Sequence, residues 1–269
     1  MTKQITKHHK VAIIGTGFSG LGMAIQLKQS GEEDFIVFEK EEGVGGTWRV
    51  NHYPGCACDV PSHLYSFSFA QNPNWTRMFA PQKEIKAYLE YCADTYEIMP
   101  HVRLKTALNS ARWDDKNNHW TLQDNHGEQY TADVLIAGAG GLSIPSYPAV
   151  EGLSKFKGKT FHSQDWDHDY DLNGKRVAVI GTGASAIQFV PHVQKHAKSI
   201  SLFQRTPPWI LPKPDRAISK IEQKLFKRVP RAQQVFRDTL YWLYESRAVG
   251  FSFDPRLMSL AKYWALKHI

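Results

Sequence analysis

The chain has 269 residues, enough for a sizeable core and, at roughly 100–200 residues per domain, for two domains. With 42% hydrophobic and 22% charged residues it has globular composition, which excludes a disordered or fibrous chain. The net charge of +7 is concentrated at one end: Met1 to Pro212 holds 21 basic and 21 acidic residues, and Lys213 to Ile269 holds 12 and 5. That excess reads as a solvated helical face, so no nucleic-acid partner is assigned.

Met1 to Lys10 is polar, and Val11 to Ile14 is too short for a signal-peptide core or a membrane span, which predicts a cytoplasmic chain. Cys56, Cys58 and Cys92 form no C-x-x-C pair and no zinc-type spacing, so a reducing compartment and no metal site are expected. Val11–Ile14 reads as a strand that ends in Gly15-Thr16-Gly17-Phe18-Ser19-Gly20. Leu21–Gln29 then reads as a helix with Gly31 as its stop, and Phe35–Glu39 as an apolar run closing on an acid. This is a βαβ unit.

Between Ser110 and Ala132, polar clusters separate short alternating runs such as His119–Gln123, which predicts an antiparallel meander. Asp133–Gly138 has a buried-strand pattern that returns to the parallel sheet, and Pro145, Pro148 and Gly152 punctuate a domain crossing. The strand-turn-helix pattern then recurs as Arg176–Ile180, Gly181-Thr182-Gly183-Ala184-Ser185-Ala186 and a helical run to about Val193, with Ser199–Arg205 as its second strand. Both halves have 19 positions from the last small turn residue to the strand end, Gly20 to Glu39 and Ala186 to Arg205. Beyond Pro214, Ile218, Ile221, Leu225 and Val229 recur at three- and four-residue steps, predicting helices up to Ile269.

A dinucleotide sets its pyrophosphate against backbone, so the turn must be tight and bare, and the next helix must offer N–H groups and a favourable dipole. Gly15, Gly17 and Gly20 meet these needs, with Ser19 beside them. Glu39, followed by Lys40, can accept hydrogen bonds from the ribose of FAD or NAD and repels a 2′-phosphate. In the second turn Thr182, Gly183, Ala184, Ser185, Ala186 and Gln188 form the candidate set, with Ala186 in the place of the third glycine. Arg205, at the place matching Glu39, can pair with a 2′-phosphate, which predicts NADP; Thr206 completes that set. Two nucleotide folds could serve a disulfide reductase, a flavin reductase or a monooxygenase. Cys56-Ala57-Cys58 lacks the dithiol spacing of the first.

Phe156, Gly158, His162, Trp166 and Asp167 fit F-x-G-x-x-x-H-x-x-x-W-[P/D], and the chain thereby resembles the Baeyer-Villiger monooxygenases, class B flavoprotein monooxygenases. Gly45-Gly46-Thr47-Trp48, Tyr53-Pro54-Gly55 and Asp59 are similar to a second block of that family, and Val60–Ser66 to its hydroxyacetophenone monooxygenase-like branch. The resemblance runs from Val11 to Trp209. Relatives that oxidise nitrogen or sulfur usually carry another aromatic residue where Trp166 stands.

The resemblance implies an α/β fold with two Rossmann-like domains of FAD/NAD(P)-binding type, a small antiparallel β-meander and a C-terminal helical segment. Residues 1–150 would be the N-terminal part of the FAD-binding domain, 151–212 that of the NADP-binding domain, and 213–269 a helical insertion in the latter. It implies that NADPH reduces FAD, that oxygen forms a C4a-peroxyflavin, and that a small-molecule ketone becomes an ester or lactone. Gly46, Thr47, Trp48 and Tyr65 would lie along the flavin. Asp59 would be the catalytic carboxylate, paired with an arginine that family members carry in a part beyond Ile269, so a truncated sequence is expected. His162 and Trp166 would belong to the segment coupling the two domains. An N- or S-oxidising flavin monooxygenase and a nucleotide-binding fragment without catalysis are the alternatives.

Overall fold

The computed structural model describes residues 7–142, 144–208, 210–252, 256 and 258–268. Expectations that fall on Met1–Thr6, Trp209 and Ile269 lie outside the described residues. The chain groups into two compact units, Met1–His52 with Ile85–Asp165 and Tyr53–Glu84 with Trp166–Ile269.

The first unit is built on a six-stranded sheet comprising β1 (Lys7–Ile14), β2 (Phe35–Phe38), β3 (Val102–Arg103), β4 (Leu108–Asp114), β5 (His119–Asp124) and β6 (Gln129–Ala137), in the order β3-β2-β1-β6-β5-β4. The β-branched and aromatic run of β2 is buried throughout, as a strand covered on both faces must be. It pairs parallel to β1 from Val11↔Phe35 to Ile14↔Phe38, with α1 (Phe18–Gln29) as the crossover. The expected meander is present: β4, β5 and β6 run antiparallel, with Trp113 opposite Trp120. Ala12, Ile36, Phe38, Leu122, Tyr130 and Ala132 form a core shared by the parallel and antiparallel parts. Burying side chains such as Phe38 or Leu122 contributes about 1.5–3 kcal/mol each.

Strand β6 joins the two parts, pairing antiparallel with β5 over its first residues and parallel with β1 over most of its length. The return of Asp133–Gly138 to the parallel sheet holds, up to Ala137, but its expected burial does not. Val134 is 49% exposed, because the described elements leave that face of the strand uncovered.

In the second unit β7 (Arg176–Ile180) and β8 (Ser199–Phe203) pair in parallel around the helix Ala184–Val193, repeating the βαβ plan. Next come three further helices, Lys220–Arg228, Pro230–Ser252 and Met258–His268. Ser219 caps the first of these in a reciprocal capping box with Glu222. Arg216 and the backbone of Ser219 hold the Glu222 carboxyl well below its usual range, at about 2. The helices appear where the apolar steps predict them, but the predicted stripe is not their buried face: Ile221 is 80% and Leu225 48% exposed, whereas Gln223 and Phe226 are buried. The reason is polar anchoring. The Gln223 amide donates to the carbonyls of Asn74 and Trp75, so its rotation about the helix axis follows those bonds and not the aliphatic steps.

Candidate dinucleotide-binding turns

The first turn leaves β1 at Gly15, whose φ of +90° lies in the left-handed region that glycine enters without strain. Its N–H donates to the Phe38 carbonyl at 2.8 Å, tying the turn to the end of β2. Gly17 caps α1 with extended backbone and no side-chain cap. The helix ladder runs from Leu21 N–H to Gly17 O, so the N–H groups of the first turn lack intrahelical acceptors and can face a phosphate. A Cβ on Gly46, the cap of the short helix Thr47–Val50, would meet Gly17 Cα at 2.8 Å, which brings the two bare backbones together. Trp48 is buried, Thr47 half-buried, and Ser19 and Lys40 are exposed. The backbone cradle and the following acid fit a dinucleotide.

Glu39 is only 4% exposed. Its Oε2 accepts the Thr16 N–H at 2.9 Å and the Thr16 hydroxyl, and Oε1 accepts the Glu41 N–H at 2.9 Å. An ionised carboxylate offers about four acceptor sites, so one remains for a ribose hydroxyl.

The second turn copies this geometry. Gly181 has φ +106° and its N–H donates to the Phe203 carbonyl at 2.9 Å; Gly183 caps the next helix with the same extended backbone as Gly17. One expectation is corrected by the pairing. The strands end at Phe38 and Phe203, and the run from Ala184 to Phe203 is one residue shorter than that from Phe18 to Phe38. The counterpart of Glu39 is therefore Gln204, not Arg205. Gln204 Nε2 donates to Thr182 Oγ1 at 3.0 Å, the same threonine-to-strand-end contact that Thr16 makes with Glu39. Arg205 and Thr206 follow it, exposed. Equal spacing from the third small residue concealed Gln204 from the sequence, whereas counting from the strand ends reveals it.

Gln188 was expected at the NADP turn. Its Oε1 accepts from the Tyr53 hydroxyl at 3.0 Å and Ala57 N–H at 3.3 Å, and its Nε2 donates to Ala57 O at 2.9 Å and Asp59 Oδ1 at 3.4 Å. All four hydrogen-bonding sites of the amide are engaged within the protein, so the side chain holds the 53–59 segment and has none left for a dinucleotide. Burial pushes the Tyr53 hydroxyl up to about 12, which keeps it a neutral donor. Asp59, 65% exposed at its side chain, has Lys213 Nζ 3.6 Å away; that ammonium also donates to Cys58 O at 2.6 Å and sits over the Phe79 ring. Nothing in the chemistry of the sequence motifs points to Lys213 as this partner. Its position between Pro212 and Pro214, which restrict the backbone, was the available signal.

The basic segment also acquires a structural role. Arg237 donates to the carbonyls of His63 and Leu64 at 2.5 and 3.2 Å, and Gln233 to the Asn72 carbonyl at 2.8 Å, which fixes the loop carrying Tyr65. His63, 2% exposed, packs edge-on to Phe226 and Phe236 with its Nε2 lacking a hydrogen-bond partner. Burial pushes its imidazole down to about 4.

The fingerprint residues divide between the compact units at Asp165/Trp166. In the first, the Phe156 ring lies where a Cβ on Gly158 would be, and His162 accepts Gln164 N–H at 3.1 Å beside the Tyr147 ring. In the second, Trp166 is buried against Phe189 and Asp167 accepts Asp169 N–H at 3.1 Å.

All three cysteines are free and buried, and burial raises their thiols, Cys58 to about 11, so they suit packing and not redox exchange. Among the described residues no group of three or more histidines, cysteines or acids could hold a metal ion, and no helix is long and apolar enough to cross a membrane.

Comparison with known proteins agrees with this geometry. A Baeyer-Villiger monooxygenase of Pseudomonas aeruginosa is 59% identical over 268 residues, covering 100% of this chain and 51% of that protein. One of Streptomyces coelicolor is 47% identical, covering 99% and 51%. The chain thus spans about half the length of the curated relatives it matches. Among solved structures, an oxidized steroid monooxygenase bound to NADP is similar at a TM-score of 0.76 and 36% identity, over 82% of this chain and 43% of that one. The family model described as flavin-binding monooxygenase-like matches residues 8–223, a span that includes both glycine turns and the segment between them, and the chain belongs to that family.

Proposed function

We propose that these residues form the N-terminal part of an NADPH- and O2-dependent Baeyer-Villiger monooxygenase, which inserts one oxygen atom beside a ketone carbonyl to give an ester or lactone. The observation that carries this reading is a pair of like-built turns with unlike chemistry behind them: buried, acidic Glu39 after the first, and exposed Gln204-Arg205 after the second. An acid suits the unphosphorylated adenosine ribose of FAD, and a neutral amide followed by a cation suits the 2′-phosphate of NADP. The names of the relatives and the NADP bound to the steroid monooxygenase support the same assignment.

On this reading residues 1–150 supply the FAD side, with Gly15, Gly17, Ser19, Gly20, Glu39, Lys40, Gly46, Thr47, Trp48, Asp59 and Tyr65 serving the flavin dinucleotide. Residues 151–212 begin the NADP domain, with Thr182–Ala186, Arg205 and Thr206 serving NADP, and 213–269 form its helical insertion. When bound, FAD reduced by NADPH supplies the oxygen-transfer chemistry. The chain's own residues bind and orient the cofactors and exclude water. Asp59 is the catalytic carboxylate, and Lys213 provides a cation beside it. The enzyme works in the cytoplasm.

The test is product analysis with FAD, NADPH, O2, a panel of ketones and one thioether. Ester or lactone from a ketone is expected. Sulfoxide alone, across the whole panel, would favour N- or S-oxidation instead. A second reading, that this chain by itself binds dinucleotides without turnover, is favoured by the exposure of Ile180 (54%) and Phe203 (56%) in parallel strands, which are normally covered on both faces. A purified yellow protein that oxidises NADPH would overturn it.

A further inference from the structure

We propose that Gln204 is a specificity-determining residue of the second turn: its neutral amide takes the ribose position that Glu39 takes in the first turn, and this neutrality admits a 2′-phosphate. The inference rests on the reading that this turn binds NADP, and it assigns discrimination to a residue in addition to Arg205.

The two βαβ units are internally equivalent. Four features coincide residue for residue: the positive-φ glycine at the strand end (Gly15, Gly181), its N–H bonded to the last residue of the second strand (Phe38, Phe203), the extended glycine cap (Gly17, Gly183), and a threonine bonded to the residue after that strand. The last feature pairs Thr16 with Glu39 and Thr182 with Gln204. In this fingerprint the residue following the second strand meets the adenosine ribose hydroxyls. A carboxylate there accepts from a ribose hydroxyl and repels a phosphate on the 2′-oxygen. An amide keeps hydrogen-bonding capacity: Gln204 uses one N–H on Thr182 and retains a second N–H and its carbonyl oxygen, a donor for a phosphate or ribose oxygen and an acceptor for the 3′-hydroxyl. Arg205, one residue on, is exposed and has no hydrogen-bond or ion-pair partner among the described residues, so its guanidinium can meet the phosphate.

Gln204→Glu is nearly isosteric, lies at an exposed position, and keeps an acceptor for the Thr182 hydroxyl, as Glu39 does for Thr16. It should fold like the parent, with an unchanged melting temperature. Calorimetric titration of the chain with NADP+, NAD+ and 2′,5′-ADP measures the effect without turnover. The proposal expects Gln204→Glu to weaken NADP+ and 2′,5′-ADP at least about tenfold while NAD+ holds within about threefold or tightens. Gln204→Leu, which cannot hydrogen-bond, should weaken NADP+ and NAD+ alike. A folded Gln204→Glu variant with the parent's NADP+ to NAD+ ratio, from a parent that prefers NADP+, overturns the role of Gln204 and leaves the NADP reading standing. A parent with equal affinity for NADP+ and NAD+ overturns the NADP reading, and this inference with it.

Discussion

A Cβ on Gly20 would lie 1.8 Å from the carbonyl oxygen of Gly15, whereas Ala186, at the same place in the second unit, carries its Cβ while 8% exposed. The first turn is therefore closed more tightly against its helix than the second, and the third glycine is required only there. Gly20→Ala should force the helix away from the turn and lower stability by about 1–3 kcal/mol or more. Ala186→Gly removes a methyl and adds backbone freedom, a loss of about 1 kcal/mol. Urea unfolding of both variants measures the contrast, and equal losses would count against the difference in closure.

Arg205 should act on the phosphate and not on the rest of the nucleotide. Losing a charge-assisted hydrogen bond of about 1.5–3 kcal/mol corresponds to a roughly 10- to 150-fold weaker complex. Arg205→Glu is expected to raise the dissociation constant for NADPH by that amount and to change that for NADH by less than about threefold. Parallel effects on the two nucleotides would remove Arg205 from the site.

His63 should make the fold acid-sensitive. Its folded imidazole titrates at about 4 against an ordinary 6.5, because burial among Phe226 and Phe236 disfavours the charged ring and the nearby Arg216 and Arg237 oppose it further; Glu222 favours it. Above about pH 6.5 the ring is neutral in both states and has no effect. As pH falls from there toward 4, the unfolded chain binds the proton first, and about 2–3 kcal/mol of stability is lost. His63→Phe, which suits the aromatic surroundings, should reduce the stability difference between pH 7 and pH 4.5 by about 2 kcal/mol, read from urea midpoints. An unchanged difference would show that other groups carry the acid sensitivity.

Much of this arrangement was legible because it depends on local rules. The glycine turns, the buried run of β2 and the meander follow from backbone demands and alternation that each segment carries within itself. What stayed hidden depends on contacts distant in sequence. The alignment of Gln204 with Glu39 required the strand ends, which shifted by one residue between the units. Gln188 stands on a helix after a glycine turn, yet its amide is taken up by Tyr53, Ala57 and Asp59, more than a hundred residues earlier. In the sequence Lys213 and Arg237 are members of a basic segment, and their carbonyl partners at Cys58, His63 and Leu64 give them individual roles. The exposed Val134 shows the converse: a buried-strand pattern specifies pairing, whereas burial depends on what covers the strand.

On the proposed reading, the two turns take two different dinucleotides. This is tested most directly by titrating the purified chain with FAD and, once saturated, with NADP+, recording flavin fluorescence and heat. One FAD and one NADP+ per chain are expected, with Gly20→Val abolishing only the first and Arg205→Glu weakening only the second. A folded chain that binds neither, or in which both ligands compete for one turn, would contradict it.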